Sequence, residues 1–564
     1  MEPQTKNCQN CKSDFTIESE DFSFYEQMKV PPPTWCPGCR RMRRLAWWGY
    51  RILYKRKCDK TGKDVITVYH PDLPIKMYAS DVWYSDSWDP KEYGREYDFS
   101  RPFFEQWKEL FDAVPKPALH VEYSTMVESD YCNAASQLRN CYLGFKTDRS
   151  ENSGYLNAVT GAKDSFDVAY SNYVEMCYES VNINKCFQTF WSIDCDVCSN
   201  VWFSRDLSGC TDCVGCINLR GKNHCIFNEQ YSKEEYKNKI KEFDFGTPGG
   251  IESFKRRVEE FFRTQPRPEF HRKQTVNVSG EYLYQCKNVH DSYLVSSGED
   301  IRYSEFLQKP PGSRKAYDWS AFGFNAEWIY DSAWVGINAN HVKFSFWNYR
   351  AYDIEYSFGC HGSGNLFGCV GIRKGEYCIL NRRYSKEVYG ELLLKIKKHM
   401  DDMPYIDSRG NVYKYGEFFP SEFSPWVYNE SHAYEFAPLA KGDAIRKGFR
   451  WRDPDVREYQ DATTILPEYV KDTNDSVVKE ILKCKVCGKN YRLIPIELQF
   501  YKRFNVAIPR CCPLCRHYVK VALLNPMSIH DRTCGKCGKN IKTSYAPDRT
   551  EIVYCEQCYN AEVA

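Results

Sequence analysis

Twelve of the 28 cysteines, all towards the two ends of the chain, stand in pairs with two residues between them. Cys8/Cys11 with Cys36/Cys39, and Cys484/Cys487 with Cys512/Cys515, each enclose 24 residues between the pairs, while Cys534/Cys537 with Cys555/Cys558 enclose 17. Two residues between thiols let both sulfurs reach one ion from a tight turn, and two such turns complete the tetrahedron that zinc accepts. The expectation is three structural zinc ions in zinc ribbons, closed by four thiolates each and therefore without an open position for catalysis. The first two modules align without a gap over 33 residues with ten identities, among them Pro37/Pro513 and Arg40/Arg516, and this register selects Cys512 over its neighbour Cys511 as a ligand.

The first module runs into "RRMRRLAWWGYRILYKRK". Arg40, Arg41, Arg43, Arg44, Arg51, Lys55, Arg56 and Lys57 supply positive charge with no acid among them, and Trp47, Trp48 and Tyr50 supply aromatic faces. Cations that neutralise phosphates beside rings that stack on unpaired bases make this stretch the best nucleic-acid surface in the chain. The other reading is an element that buries its tryptophans and keeps a solvated basic face. The matching stretch of the second module, "HYVKVALLNP", is much less basic.

Three further clusters invite chemistry. "CTDCVGC" from Cys210, with Cys225, has the look of an iron–sulfur ligand set. Displaced by 153 residues, however, Cys210 becomes Ser363 and Cys213 becomes Leu366, so a buried thiol ladder is the stronger reading. Cys58, a lone thiol among lysines and arginines, is a candidate nucleophile or additional metal-site cysteine against a plain structural role. Asp164, Asp167, Asp194, Asp196, Asp206 and Asp212 could furnish carboxylates for a carbohydrate-active enzyme, although nothing in the sequence brings two together and turns also favour Asp. No HExxH, GxSxG or Walker sequence is present.

The elements that position these residues follow from repetition. "GCINLRGKNHCIFNEQYSKEEY", from Gly215, returns as "GCVGIRKGEYCILNRRYSKEVY", from Gly368, which makes the middle of the chain two related halves. Ser232 and Ser385 sit where N-caps belong, predicting helices over 232–243 and 385–400. Within each half, short segments carry a Cys or Ser at spacings of 9 or 12, and alternation in "DIRYSEF" and "DIEYSFG" favours strands. A mainly β fold follows: a two-part parallel β-solenoid, β-helix-like and right-handed as first choice, with coils of roughly 21 to 24 residues, flanked by zinc ribbons and carrying a few capping helices.

At 564 residues the chain exceeds one core. Lys and Arg number 77 against 75 Asp and Glu, so any polyanion surface must be local. No run approaches the roughly 18 apolar residues of a membrane span, and the start has no apolar export signal. A cytoplasmic protein with reduced thiols and no membrane partner is expected.

Together, "CPGCRRMRRL", "YKRKCDKTGK", "DFSRPFFEQW", the twice-used "YSKE", "GEFFPSEFSPWVYNES", "GFRWRD" and "YAPDRTEIVYCEQCY" resemble uncharacterised zinc-ribbon/β-solenoid proteins of environmental bacterial genomes, especially those of candidate lineages. The resemblance covers nearly the whole chain and implies cytosolic residence.

The expected organisation is an N-terminal zinc ribbon with its basic-aromatic extension (1–57), a linking region (58–120), a first solenoid half with closing helix (121–245), a linker helix (246–275), a second half with closing helix (276–400), an irregular segment (401–480), and second (481–525) and third (526–564) ribbons. The expected function is non-catalytic binding of RNA or a nucleoprotein partner. The alternatives are a protein-binding or self-assembling scaffold and a carbohydrate-active enzyme on a β-helix.

Overall fold

The computed structural model describes residues 2–307, 312–453 and 459–563. They form two compact units, each assembled from distant parts of the chain: 1–118 with 270–453, and 119–269 with 454–564. Each unit contains one solenoid half and the terminal modules from one end of the sequence.

In the second unit the solenoid is a ten-stranded sheet whose strands pair in parallel in sequence order, except for a last antiparallel turn at Glu229–Gln230. Asn157 pairs with Ala169, Phe187 with Ser199 and Val201 with Cys213, so one coil takes 12 residues, about half the expected length. The reason lies in the backbone. From Ala134 to Phe227 every third residue has a positive φ, which turns the chain four times per coil and leaves only three-residue sides. A Cys or Ser at spacings of 9 or 12 is this period of three, seen at the inward positions.

Those inward positions form ladders. The Ser165 hydroxyl donates to the Lys163 carbonyl and accepts the Cys177 N–H, and Ser180, Ser192 and Ser204 hand the pattern on in steps of 12. A small hydroxyl thus satisfies backbone groups that a tight coil leaves without ladder partners. Thiols substitute for it, and Val159, Val168, Val174, Ile183, Val201 and Leu207 fill the rest of the core.

The first unit's solenoid follows the same plan less regularly: steps of 11 at Val276/Lys287, 15 at Glu299/Arg314 and 13 at Arg314/Glu327 settle to 12 from Asn340 onward. Its core is richer in Ile and Ala and poorer in Cys. Both halves close as expected. Helix Lys233–Ile240 carries Ser232 as N-cap in a capping box with Glu235, and Lys386–Asp402 is capped by Ser385. Helix Pro248–Arg263, capped by Thr247, packs Phe254 and Val258 on the second unit's solenoid beside Phe203 and Ile226. The stretch 58–120 is joined to the segment before it by a hairpin, Tyr54–Lys57 with Asp64–Thr67, and contributes helix Phe103–Ala113, whose Phe103 ring lies 5.1 Å from Phe367. No helix among the described residues is long and apolar enough to cross a membrane.

Candidate metal centres and the buried basic helix

Each terminal ribbon starts as a short hairpin. In the first, the Cys8 N–H donates to the Ser13 carbonyl and the Lys12 N–H returns to the Cys8 carbonyl, a turn that requires a left-handed residue: Lys12 there, Gly488 and Gly538 in the other two. The second cysteine pair opens a helix. Cys36 and Cys512 are N-caps of Pro37–Ala46 and Pro513–Ala522, with proline in the first turn, where a missing N–H costs nothing.

The four sulfurs of each group lie within 4.8 Å of one another: Cys8, Cys11, Cys36, Cys39; Cys484, Cys487, Cys512, Cys515; Cys534, Cys537, Cys555, Cys558. A zinc ion with sulfurs at about 2.3 Å sets tetrahedron edges of about 3.8 Å. The measured edges, 3.7 Å for Cys11–Cys36, 3.7 Å for Cys487–Cys512 and 3.9 Å for Cys537–Cys555, fit. Backbone dipoles favour thiolate: Cys8 Sγ accepts the Cys36 N–H at 3.2 Å, and Cys534 Sγ accepts the Cys555 N–H at 3.3 Å. Desolvation raises the Cys484 thiol, but the N–H groups of Cys487, Cys512 and Val486 outweigh it and bring the thiol to about 6. In the same group desolvation pushes Cys512 up to about 11. Four thiolates at such a site therefore need a cation among them. The donor set fits a metal ion held for structure.

The stretch expected to grip phosphate is placed elsewhere. Helix Pro37–Ala46 enters the first unit, and Arg40, Arg43 and Arg44 are 0–1% exposed. Arg40 meets Asp318 at 2.8 Å, Arg43 meets Asp331 and Glu417 at 2.9 Å each, and Arg44 meets Asp318 at 3.1 Å and Asp331 at 3.0 Å. Arg41 approaches Glu305 at 3.5 Å. Burial alone would lower the guanidinium of Arg43, and Asp331 with Glu417 hold it above its ordinary value instead. Four arginines thus face Glu305, Asp318, Asp331 and Glu417, and the charge that reads as a phosphate surface is neutralised inside the protein.

The aromatic residues follow the same course. Trp47, Trp48 and Tyr50 are buried: Trp47 lies 5.1 Å from Phe419, Trp48 5.4 Å from Trp334, and the Tyr50 hydroxyl donates to Glu435. Arg51 lies 3.6 Å from Glu435, and Arg56 donates to the carbonyls of His70 and Ile75. Lys55 and Lys57 are exposed, both beside Asp64. A solvated basic face is therefore absent along the Arg40–Arg44 helix, because its charge has interior partners far away in sequence.

The second ribbon docks on its own solenoid by the same residues. Arg516, the counterpart of Arg40, lies 3.3 Å from Asp167, and Lys520, the counterpart of Arg44, lies 2.7 Å from it. Glu497 completes the group, 3.8 Å from Arg516, accepting from the hydroxyls of Tyr155 and Tyr501. Phe500 stacks 5.7 Å from Phe190, as Phe24 stacks 3.9 Å from Tyr317 in the first unit.

Cys210, Cys213, Cys216 and Cys225 line the second unit's core. Their sulfurs donate to carbonyls two residues back, at Ser208, Thr211, Val214 and Asn223. Among the described residues they form no metal-holding group. Of the six aspartates, Asp167 is held by two cations, Asp206 pairs with Arg220 at 3.0 Å, and Asp194, Asp196 and Asp212 accept from Asn182, Asn184 and Asn200 in the coil ladders.

The first unit also carries a groove of about 410 Å³ between the ribbon helix Ser19–Met28 and the first coils, lined by Phe24, Tyr317, Trp328, Arg302, Lys315 and the Asn277–Asn288–Asp300 ladder. Sequence reasoning missed it, because its walls come from residues some 250 to 300 positions apart.

No protein-family model matches the chain, and no curated protein matches it. Among solved structures it is similar to a crystal structure described as a "putative acetyltransferase" from Desulfovibrio desulfuricans G20, at 12% identity over 44% of this chain and 62% of that one, less than two thirds of its length. The TM-score of 0.10 leaves this likeness without weight for fold or function.

Proposed function

We propose that the protein is a non-catalytic binding scaffold: two β-solenoids, each clamped by a zinc-ribbon helix, with the first unit's groove receiving an extended segment of a protein partner. The observation that carries the reading is the burial of Arg40, Arg43 and Arg44 against Asp318, Asp331 and Glu417, which gives the basic helix a clamping role and leaves the coil faces as the surface for recognition. In the groove, Glu20 and Asp300 offset Arg302 and Lys315. Mixed charge around aromatic walls suits a peptide, with ring burial for affinity and side-chain amides for orientation, better than a phosphate backbone. Zinc is the metal this reading assigns to the three tetrads, on the grounds of four thiolates in tetrahedral array.

The test is affinity capture with the whole protein and with Trp328→Ala, from lysates with and without nuclease. A protein retained through nuclease treatment and lost with Trp328→Ala supports the scaffold. Nucleic acid captured in a salt-sensitive manner by both forms would replace it with the RNA reading.

A further inference from the structure

The two ends of the chain correspond beyond the first ribbon. At the same displacement of 476, Cys8 to Tyr84 aligns without a gap on Cys484 to Asn560, and the later part keeps Cys58/Cys534, Lys60/Lys536, Gly62/Gly538, Lys63/Lys539, Tyr69/Tyr545 and Pro71/Pro547. Opposite Cys537, Cys555 and Cys558 stand Thr61, Ala79 and Val82. The segment in the place of the third ribbon thus retains one thiol of four.

Its backbone nevertheless matches the metal-binding module bond for bond. The Cys58 N–H donates to the Lys63 carbonyl at 2.8 Å and the Gly62 N–H to the Cys58 carbonyl at 2.8 Å; at Cys534 the same bonds reach Lys539 at 2.8 Å and come from Gly538 at 3.0 Å. Gly62 and Gly538 have φ of 70° and 72°. The Asp59 N–H finds the Met77 carbonyl at 2.9 Å, as the Gly535 N–H finds that of Val553 at 2.8 Å. Cys58 Sγ accepts the Ala79 N–H at 3.2 Å, as Cys534 Sγ accepts that of Cys555 at 3.3 Å. A helix starts just after each, at Ser80 and Glu556. Strand Met77–Tyr78 runs parallel to Lys116–Pro117, and Val553–Tyr554 runs parallel to Arg267–Pro268.

We propose that Tyr54–Tyr84 is a fourth ribbon that folds without metal, and that its two knuckles still hold the geometry of a metal site from which three thiols are missing. Packing and hydrogen bonds replace the ion. The Asp59 carboxylate accepts the Met77 N–H at 2.7 Å, a bond that Gly535 cannot make, and the Trp83 indole donates to the Pro115 carbonyl at 3.0 Å. Cys58, 1% exposed, is accordingly the remaining ligand position and not a nucleophile poised for a substrate.

The experiment is Thr61→Cys/Ala79→Cys/Val82→Cys in the full chain, loaded with Co²⁺ in place of Zn²⁺. The expected result is one metal ion per chain more than wild type, with the thiolate-to-cobalt absorption raised in the ratio four to three, and the extra ion held more weakly once Cys58→Ser is added. Ala79→Cys/Val82→Cys, which leaves Thr61 in place, supplies three thiolates and takes the extra ion more weakly. No additional ion in either folded variant, or an additional ion held as tightly with Cys58→Ser as without it, overturns the proposal.

Discussion

Lys520 donates to Asp167 at 2.7 Å inside the second unit, and Arg516 shares the same carboxylate at 3.3 Å, with all three side chains sealed from solvent. A buried carboxylate between two cations is costly to place but costlier to break, because removal of one charge strands the others. Asp167→Asn should lower the second unit's stability by about 3–5 kcal/mol, read by chemical denaturation. Combined with Lys520→Met it should cost less than the sum of the two single changes, since the pair leaves together. Strict additivity would mean that the ribbon docks without this triad.

Glu355 gives the first unit a dependence on pH. It lies 3.0 Å from Lys343 and 2.7 Å from Lys397, and accepts the Tyr415 hydroxyl at 2.9 Å. Desolvation raises its carboxyl, but the two ammonium groups prevail and bring it down to about 2 from 4.5. A depressed carboxylate stabilises above the unfolded value and loses its contribution as pH falls through the folded one. The advantage of wild type over Glu355→Gln, about 3 kcal/mol near neutrality from such a shift, should therefore shrink between pH 4.5 and 2. A gap of constant size across pH 5 to 3 would contradict the assignment.

Metal content provides a third measurement. Protein never exposed to chelator should contain three ions per chain by elemental analysis, one for each tetrad. Cys11→Ser, at an exposed ligand, should weaken the first ribbon's ion selectively while the other two remain. Because folding free energy of such modules is metal-binding free energy, the same change should loosen the helix that carries Arg40 to Asp318 and lower the first unit's melting temperature. Full occupancy and unchanged melting in Cys11→Ser would remove that cysteine from the ligand set.

What the sequence disclosed depended on range. The tetrads were legible because four ligands in two CxxC pairs are a local pattern, and the helix caps at Ser232 and Ser385 because a cap is set by three or four neighbours. Coil length was misjudged: Ser165 and Cys177 repeat at 12, but spacings of 9 share the same period of three, so composition alone did not mark where a coil closes. Partners of the basic helix were illegible in principle, since Asp318 and Asp331 lie almost 300 residues from Arg44. One clue was available: Arg40/Arg516 and Arg44/Lys520 keep their charge between modules, and Asp21/Glu497 keep theirs, although the surface around them diverges. Cations and an acid retained at the same positions of both copies point inward, to partners, more than outward to phosphate.

Cys213 tests the thiol ladder. It is fully buried, pairs in register with Val201 one coil earlier, and its sulfur makes long contacts, 3.5 Å to the Thr211 carbonyl and 3.9 Å to the Lys222 carbonyl. Cys213→Val copies the neighbouring rung with about one methyl group of added volume, so it should cost no more than about 1–3 kcal/mol and leave the metal count unchanged. Loss of an ion, or of a visible absorption band, would restore an iron–sulfur role for this stretch.

Val197 carries the opposite expectation, a gain. Its φ is 54° and it is 55% exposed, so a β-branched side chain occupies a left-handed corner with little burial in return. The left-handed backbone brings Cβ against the following carbonyl at a cost of roughly 1–2 kcal/mol, and Asn tolerates that region best among residues with a side chain. The preceding rung holds Lys185 and the following one Gly209, both at positive φ, so the corner recurs coil after coil. Val197→Asn should raise the second unit's stability by about 0.5–1 kcal/mol, seen as a higher denaturation midpoint with unchanged slope. Val197→Ile, which keeps the branch, should give no gain, and destabilisation by Asn would show that the corner is held by packing of the valine methyls.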